Sequence, residues 1–218
     1  MKNFKNNSYT KKKDLKIYEK RIRSVNLTWV SQVLNILEPM LSKKKLSLND
    51  YGCNVFQLYK GIKKRKLNGK LLYTGYDHDK HYISLGLKYF PELKKKFRVL
   101  DLEKIAPKKS DIGVMSATLE HMINPDKALD KILNSTRKLI IIRTFLGKKK
   151  IKKLFSDKKF VDNPYFINQF SFNWIKNKLI KRKFKNIEIL KDKATKGKVR
   201  SIYPGLKRKF SIVVAKKV

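Results

Sequence analysis

Hydrophobic positions follow two different periods along the chain, and the changes between these periods divide it into elements. Between Lys12 and Leu41, apolar residues recur at steps of three and four, which predicts one or two amphipathic helices. After this segment, short apolar runs typical of buried strands alternate with further helical segments. The predicted strands are Leu46–Asp50, Leu71–Asp77, Phe97–Leu102, Asp111–Ser116, Lys138–Phe145, Ile187–Leu190 and Phe210–Ala215, and the predicted helices are Phe56–Lys66, Tyr82–Tyr89, Pro125–Asn134 and Phe170–Lys183.

The order of these elements predicts the fold class. Strands and helices alternate from Leu46 to Phe145, which is the pattern of an α/β protein with a parallel sheet and right-handed crossovers. The run Lys138–Phe145 is apolar and β-branched, as expected for a strand that helices cover on both faces. The connection between the last two predicted strands is short for a parallel crossover, which favours an antiparallel pairing. Residues 1–10 are predicted to be a loose start, and the lysine-rich residues 191–200 an exposed loop.

Acidic side chains stand at the ends of the predicted strands. The chain has only 17 acidic residues, so their positions are informative. Asp50, Asp77 and Asp101 end the first three strands, and Glu120 and His121 follow the fourth. In an open parallel sheet the ligand crevice lies beyond the carboxyl ends of the strands, so these residues should gather along one edge. The alternative is that strand-end aspartates only cap the helices that follow them.

These residues carry a resemblance to a known family. The turn "NDYGCN" after the first strand, Asp77 after the second, Asp101 and Leu102 after the third, and the sequence "LEH" at residues 119–121 resemble motifs of class I S-adenosylmethionine-dependent methyltransferases. The resemblance covers roughly the 100 core residues from the first strand to the fifth. It implies a Rossmann-like, mostly parallel seven-stranded sheet with an antiparallel last strand and helices on both faces. It also implies an N-terminal helical extension over residues 1–42 and a methyltransferase domain over residues 43–218.

The resemblance further implies a cofactor site. Asp77 would bind the ribose hydroxyls of S-adenosylmethionine, and Asp101 with Leu102 would border the adenine. Two departures stand in the turn: Asn54 and Phe56 occupy positions where the family has its second and third glycines. Phe56 would either narrow the cofactor cleft or pack into the core. The full set of predicted cofactor residues is Asp50, Gly52, Cys53, Asn54, Asp77, His78, Asp101, Leu102, Ser116 and Glu120.

Two further residues are predicted to act on the acceptor. His121 follows the fourth strand on the cofactor edge, and histidine titrates nearest neutrality, so we expect it to act as general base on a hydroxyl acceptor. The alternative is that it caps or packs against the helix that begins near Pro125. Arg143, at the end of the fifth strand, is expected to bind a carboxylate or phosphate on the acceptor; a surface ion pair is the alternative.

Composition limits the other classes of function. A single cysteine, Cys53, excludes an intrachain disulfide. The longest clear apolar run, residues 139–142, is far shorter than the about 20 residues of a membrane span. The start "MKNFKNNSYTKKK" lacks the apolar segment of a secretory signal, so a cytoplasmic location is predicted. His78 and His81 are three residues apart, but no cysteine or third histidine lies nearby in the sequence, so no metal site is predicted.

The net charge leaves two rival hypotheses open. With 55 lysines and arginines, the chain has a formal net charge of +38, which favours contact with nucleic acids or anionic membrane surfaces. Most of these charges are lysines spread over the connecting segments, whereas phosphate and base recognition favours arginine. The leading hypothesis is therefore methyl transfer to a small-molecule acceptor, with a sugar or another hydroxyl-bearing metabolite as the candidate, and with only weak non-specific binding of polyanions. The rivals are an RNA methyltransferase and a non-catalytic polyanion-binding protein on a degenerate Rossmann-like scaffold.

Overall fold

Six helices and twelve strands make up the described part of the protein. A computed structural model describes residues 12–24, 27–42, 44–159 and 164–217. The helices are α1 (Lys12–Arg23), α2 (Thr28–Leu37), α3 (Gln57–Lys64), α4 (Lys80–Tyr89), α5 (Pro125–Ser135) and α6 (Phe172–Lys181). The strands are β1 (Leu46–Tyr51), β2 (Leu71–Asp77), β3 (Phe97–Val99), β4 (Ser110–Ser116), β5 (Thr136–Gly147), β6 (Leu154–Phe155), β7 (Tyr165–Phe166), β8 (Phe170–Ser171), β9 (Phe184–Lys191), β10 (Arg200–Tyr203), β11 (Leu206–Arg208) and β12 (Phe210–Lys217). None of the described helices combines the length and apolar character needed to cross a membrane.

The main sheet has the predicted topology. Its strand order is β3-β2-β1-β4-β5-β12-β9, and β1 to β5 pair in parallel. The last strand, β12, runs antiparallel to both β5 and β9. The short β8 adds a parallel pairing at the end of β5. The prediction of a Rossmann-like, mostly parallel sheet with an antiparallel last strand is therefore confirmed. Two small hairpins, β6–β7 and β10–β11, lie outside this sheet.

Helices cover both faces of the sheet because successive strand side chains point to opposite sides. In β5, Leu139 and Ile141 belong to a core cluster that also contains the buried side chains of α2 and α3. Ile140 and Ile142 belong to a second cluster with those of α5 and α6. The four residues are all fully buried, as the apolar pattern of this strand predicts. The N-terminal helices thus share a hydrophobic core with the sheet.

Some predicted boundaries differ from the observed ones, for local reasons. β3 ends at Val99, two residues before Asp101. There the Asp101 carboxylate accepts a hydrogen bond from the Glu103 amide at 3.0 Å, so the chain turns instead of continuing as a strand. Residues 191–200 are also not a simple exposed loop. Asp192 is fully buried and caps a short 3-10 turn at Lys193–Thr195.

Candidate active site

The turn after β1 keeps the backbone shape of a glycine-rich loop with a single glycine. Three alternate residues have left-handed backbone angles: Gly52 with φ 75°, Asn54 with φ 50° and Phe56 with φ 61°. Asparagine visits this region more easily than most residues, whereas a bulky residue such as phenylalanine rarely does. The Asn54 side chain also accepts a hydrogen bond from the Val55 amide at 2.8 Å. The turn therefore has left-handed backbone angles at three alternate positions, although only one of the three is glycine.

Close packing explains why residue 52 has to be a glycine. A Cβ atom at this position would lie 2.0 Å from the Thr118 hydroxyl oxygen. Thr118 follows β4, and its hydroxyl donates to the carbonyl oxygen of Tyr51 at 3.3 Å. The amides of Gly52 and Cys53 both donate to the carbonyl oxygen of Tyr76, at 2.7 and 3.0 Å. The turn is thus held between the ends of β2 and β4, where no larger side chain fits.

Phe56 packs into the core and leaves the cleft open. Its side chain is fully buried, and it contacts two glycine positions on neighbouring elements. A Cβ atom added to Gly75 in β2 would lie 3.0 Å from the Phe56 ring. A Cβ atom added to Gly86 in α4 would lie 2.6 Å from the same ring. The ring therefore occupies space that these two glycines leave free. This contact decides between the two alternatives that the sequence left open for Phe56.

Asp77 fixes the turn from the end of β2. One carboxylate oxygen accepts from the Asn54 amide at 2.8 Å, and the other accepts from the Asp79 amide at 2.9 Å. Burial raises the pKa of Asp77, while these amides and nearby His78 oppose the rise. The Nδ1 atom of His78 lies 3.7 Å from the carboxylate. Asp77 thus connects the first and second strand ends, as expected for a residue on a shared ligand edge.

Asp50 and Cys53 lie behind the turn as two buried titratable groups. The hydroxyl of Tyr73 donates to the Asp50 carboxylate at 2.7 Å. Burial raises the pKa of Asp50 to about 7, and the neighbouring charge of Asp77 adds to this rise. Burial also raises the pKa of the Cys53 thiol well above its usual value. The thiol therefore stays protonated near neutral pH, which argues against a nucleophilic role.

One cavity of about 700 Å³ brings most of the predicted residues together. Its size is typical of a small-molecule site. Glu120 is the one predicted residue that does not line it. This side chain is fully buried, and one of its carboxylate oxygens accepts from the Thr144 hydroxyl at 2.8 Å. The predicted residues that do line the cavity are Asp50, Gly52, Cys53, Asn54, Asp77, His78, Asp101, Leu102, Ser116, His121 and Arg143.

His121 is held in one orientation at the wall of this cavity. It ends the short 3-10 turn Leu119–His121, and its Nδ1 atom lies 2.8 Å from the carbonyl oxygen of Phe166. A carbonyl oxygen can only accept, so Nδ1 carries the proton. In the neutral ring Nε2 is then unprotonated and can accept a proton. The Tyr165 ring packs beside the imidazole, with ring centres 5.2 Å apart.

Arg143 forms a buried ion pair and lines the same cavity. Its guanidinium donates to the two carboxylate oxygens of Asp192 at 2.8 and 3.3 Å. It also lies 3.8 Å above the centre of the Phe210 ring. Burial by itself would raise the pKa of Asp192, but the hydrogen bonds and charge of Arg143 hold it below its usual value. The pair is internal and not a surface ion pair, and it joins β5, which continues to Gly147, to the segment after β9.

Apart from Trp29, which was interpreted as a core or pocket-wall residue, the sequence did not point to the other residues of the cavity wall. Tyr165 and Tyr203 come from hairpins whose strands have only two to four residues, too short for a recognisable period. Tyr18 and Trp29 belong to the N-terminal helices, for which the sequence predicted only an amphipathic pattern. Met122 follows the 3-10 turn that ends in His121. The additional lining residues are Ile17, Tyr18, Arg21, Leu27, Trp29, Gln57, Tyr82, Leu100, Glu103, Ala117, Thr118, Met122, Tyr165, Tyr203 and Phe210.

Comparisons with known proteins bear on the fold. Neither the models of protein families nor the curated proteins gave a match to this sequence. Among solved structures, an S-adenosylmethionine-dependent methyltransferase from Clostridium acetobutylicum is similar, with a TM-score of 0.64 and 14% identity over 94% of this chain and 98% of that one. The magnesium protoporphyrin IX methyltransferase of Synechocystis PCC 6803 with bound SAH gives a TM-score of 0.58 and 14% identity, over 94% of this chain and 86% of that one.

A third solved structure is phosphoethanolamine N-methyltransferase 2 of Haemonchus contortus in complex with S-adenosyl-L-methionine. It gives a TM-score of 0.64 and 15% identity, and the match covers 97% of this chain but 58% of that one. At such identities the similarity establishes the fold alone. The described chain therefore has the fold found in S-adenosylmethionine-dependent methyltransferases, and its activity has to be argued from its own residues.

Proposed function

We propose that this protein transfers a methyl group from S-adenosylmethionine to a hydroxyl-bearing small molecule, with a sugar or a related metabolite as the candidate acceptor. One observation carries the proposal. Residues 52–54 of the left-handed turn, the strand-end acids Asp77 and Asp101, and His121 all line a single cavity. The fold similarity supports the proposal but does not select the acceptor.

The residues present suit this cofactor. Asp77 lies close to the turn and is proposed to accept hydrogen bonds from the ribose hydroxyls, with Asp101 and Leu102 beside the adenine. When bound, the cofactor supplies an electrophilic methyl group on a cationic sulfonium. Asp77, and Asp50 once it is deprotonated above its pKa of about 7, place negative charge at this wall of the cavity, although the protein as a whole is strongly basic. Electrostatic attraction to these carboxylates would therefore favour the cation.

His121 is proposed to remove the proton of the acceptor hydroxyl. The Phe166 carbonyl holds the ring with Nδ1 protonated, so the neutral ring presents Nε2 as the basic atom. Arg143 is proposed to contact the acceptor from the wall formed with Phe210, although its charge is already balanced by Asp192. This balance favours an acceptor without a strongly anionic group at that position. A general base held close to its substrate, as proposed for His121, typically increases the rate by about 10²–10⁴-fold.

The first test is calorimetry of the purified protein with S-adenosylmethionine and S-adenosylhomocysteine. Asp77→Ala should weaken binding of both by about 1.5–3 kcal/mol, the scale of a hydrogen bond to a charged group. Asp130→Ala serves as the matched control, because Asp130 pairs with Lys178 and Arg182 and does not line the cavity. Thermal unfolding of both variants separates lost contacts from lost folding. If the wild-type protein binds neither compound at millimolar concentration, the proposal is wrong and the non-catalytic scaffold is favoured.

The second test concerns the general base. His121→Ala should leave cofactor binding nearly intact and should lower turnover of an identified acceptor by at least about a hundredfold. His81→Ala is the control, because His81 is an exposed histidine outside the cavity. Turnover that stays unchanged in His121→Ala would remove this residue from the mechanism but would leave the cofactor proposal intact. Comparison of sugars with short RNAs as acceptors then distinguishes the small-molecule proposal from its RNA rival.

A further inference from the structure

Asn168 contacts the chain on both sides of His121 without lining the cavity. It follows the short strand β7, and its side chain is buried. Its backbone amide donates to the carbonyl oxygen of Glu120 at 2.9 Å. Its side-chain amide donates to the carbonyl oxygen of Met122, also at 2.9 Å. One residue therefore binds both neighbours of the candidate general base.

The same segment supplies the partner of the imidazole ring. The Nδ1 atom of His121 lies 2.8 Å from the carbonyl oxygen of Phe166, two residues before Asn168. Three hydrogen bonds thus join residues 166–168 to residues 120–122. The position of the Phe166 carbonyl relative to the ring therefore depends on how these two segments are held together.

The turn that carries His121 has a separate anchor on the main sheet. The Glu120 carboxylate is fully buried and accepts from the hydroxyl of Thr144 in β5 at 2.8 Å. This bond holds the turn but does not involve residues 166–168. The hairpin β6–β7 lies outside the main sheet, and Asn168 ties the end of this hairpin to the turn. Loss of the Asn168 side chain should therefore move the carbonyl that faces the ring and leave the turn itself anchored.

The orientation of the Asn168 amide follows from its acceptor. A carbonyl oxygen can only accept, so the group that faces Met122 is the NH₂ group. The side-chain oxygen is buried and has no hydrogen-bond partner among the residues that the structure describes. A buried oxygen without a partner is costly. An apolar side chain would avoid this cost but could not donate to Met122, so the donor is what asparagine supplies here.

We propose that Asn168 is a positioning residue for His121, which keeps the Phe166 carbonyl against Nδ1 and so leaves Nε2 as the unprotonated atom. The inference rests on the proposed role of His121 as general base. Such a base has to be in the correct tautomer and within hydrogen-bond reach of the proton that it removes. A displacement of about 1 Å can lower a rate by about a hundredfold. The competing explanation is that Asn168 only stabilises the fold.

The first measurement is the tautomer of His121, read by NMR of isotope-labelled histidine nitrogens in the full chain at a pH where the rings are neutral. His121→Ala assigns the signal among the three histidines. The wild type should show only the form protonated on Nδ1. Asn168→Leu removes the donor but keeps a side chain of similar size, and it should show both tautomers.

Asn49→Leu is the matched control and should keep the single tautomer. Asn49 in β1 is also buried, and its side-chain amide also donates to a backbone carbonyl, that of Lys108, at 2.7 Å. It does not line the cavity. The control therefore removes a buried amide of the same kind at a site without contact to residues 166–168.

The second measurement is turnover of an identified acceptor. Asn168→Leu should lower kcat by at least about tenfold and change KM by less than about twofold, because the base is displaced and the acceptor site is intact. Asn49→Leu should change kcat by less than about twofold. If Asn168 acts through His121, adding Asn168→Leu to His121→Ala should cause less than about a twofold further loss. A purely structural role would make the two losses additive.

Mixed tautomers in the wild type, or a single tautomer that persists in Asn168→Leu, would overturn the proposal. Equal losses of turnover in the two leucine variants, or additive losses in the double variant, would also overturn it. Asn168→Ser has a shorter side chain and replaces Asn168→Leu, with the same expected results, if the leucine variant does not fold. A wild-type protein without turnover would mean that the proposed function fails. Loss of the single tautomer in Asn168→Leu would still support the positioning contact, so the two failures are distinguishable.

Discussion

Asp50 shows how burial of a single residue can make a strand-end carboxylate sensitive to pH near neutrality. It faces Tyr73, Asp77 and Cys53, and burial raises its pKa from 3.8 to about 7. At pH values between these two pKa values, Asp50 carries a proton in the folded protein but not in the unfolded chain. The contribution of Asp50 to stability therefore decreases as pH rises through this interval. Deprotonated Asp50 in turn adds negative charge to the wall of the cavity.

This charge leads to a prediction for cofactor binding. The affinity for S-adenosylmethionine should rise by roughly three- to tenfold from pH 6 to pH 8, because the cationic sulfonium favours the ionised carboxylate. S-adenosylhomocysteine has no sulfonium charge and should show a smaller rise. Calorimetry at both pH values measures the difference between the two compounds. In Asp50→Asn, which can still accept from the Tyr73 hydroxyl, this difference should no longer depend on pH; a difference that persists would assign the effect to another group.

At the same scale, the sequence predicts the positions of the candidate site residues better than it predicts the partners of these residues. Strand-end positions placed Asp77 and His121 beside one cavity, since the carboxyl ends of parallel strands share an edge. No local sequence pattern indicates that the carbonyl of Phe166, 45 residues away, fixes the tautomer of His121. The contact between Arg143 and Asp192, 49 residues apart, was equally hidden. Such partners depend on tertiary packing, which local patterns do not encode.

At the scale of elements, tertiary packing stabilises a left-handed backbone conformation in the turn between β1 and α3, at a position that is not glycine. Phe56 has a left-handed backbone conformation that typically costs about 1–3 kcal/mol. Full burial of its ring against Gly75 and Gly86 offsets this cost. The Phe56 ring in the turn therefore packs into the space left by the two glycines, one in β2 and one in α4.

This packing predicts that two substitutions have coupled effects on the free energy of unfolding. Glycine to alanine inside a helix normally stabilises by about 1 kcal/mol. Gly86→Ala in α4 should instead destabilise this protein, because the new Cβ would lie 2.6 Å from the Phe56 ring. In a Phe56→Ala background the same change should cost less or become favourable. Denaturant unfolding of the wild type, both single variants and the double variant gives the coupling energy, and additive effects would mean that the ring and the glycine do not share this space.

The number of residues in each strand determined whether the sequence could predict it. The strands β1, β2, β4, β5 and β12 each have six or more residues, and their apolar runs were recognisable. The strands β6, β7, β10 and β11 have two to four residues, so the sequence contains no period that marks them. These hairpins supply Tyr165 and Tyr203 to the cavity wall. The cavity wall formed by the strand ends was therefore predictable, whereas the aromatic wall formed by the hairpins was not.

For the molecule as a whole, the net charge of +38 should set how stability depends on salt. Like charges repel in the compact state, and salt shortens the Debye length from about 10 Å at 0.1 M to about 3 Å at 1 M. Most of the described ion pairs have exposed partners and contribute little, so screening them costs little. The buried pair of Arg143 and Asp192 is largely protected from screening.

We therefore expect potassium chloride to stabilise the fold. Raising its concentration from about 50 to 500 mM should gain about 1 kcal/mol and raise the melting temperature by roughly 2–4 °C, the scale for a domain of this size. Thermal unfolding at constant pH measures the change. Chloride is preferred to sulfate because sulfate also strengthens the hydrophobic effect. A variant in which Lys148, Lys149, Lys196 and Lys198 are replaced with glutamine should keep most of the salt response, since its net charge is still +34, four below +38. A melting temperature that falls with salt would mean that attractive ion pairs outweigh the net repulsion.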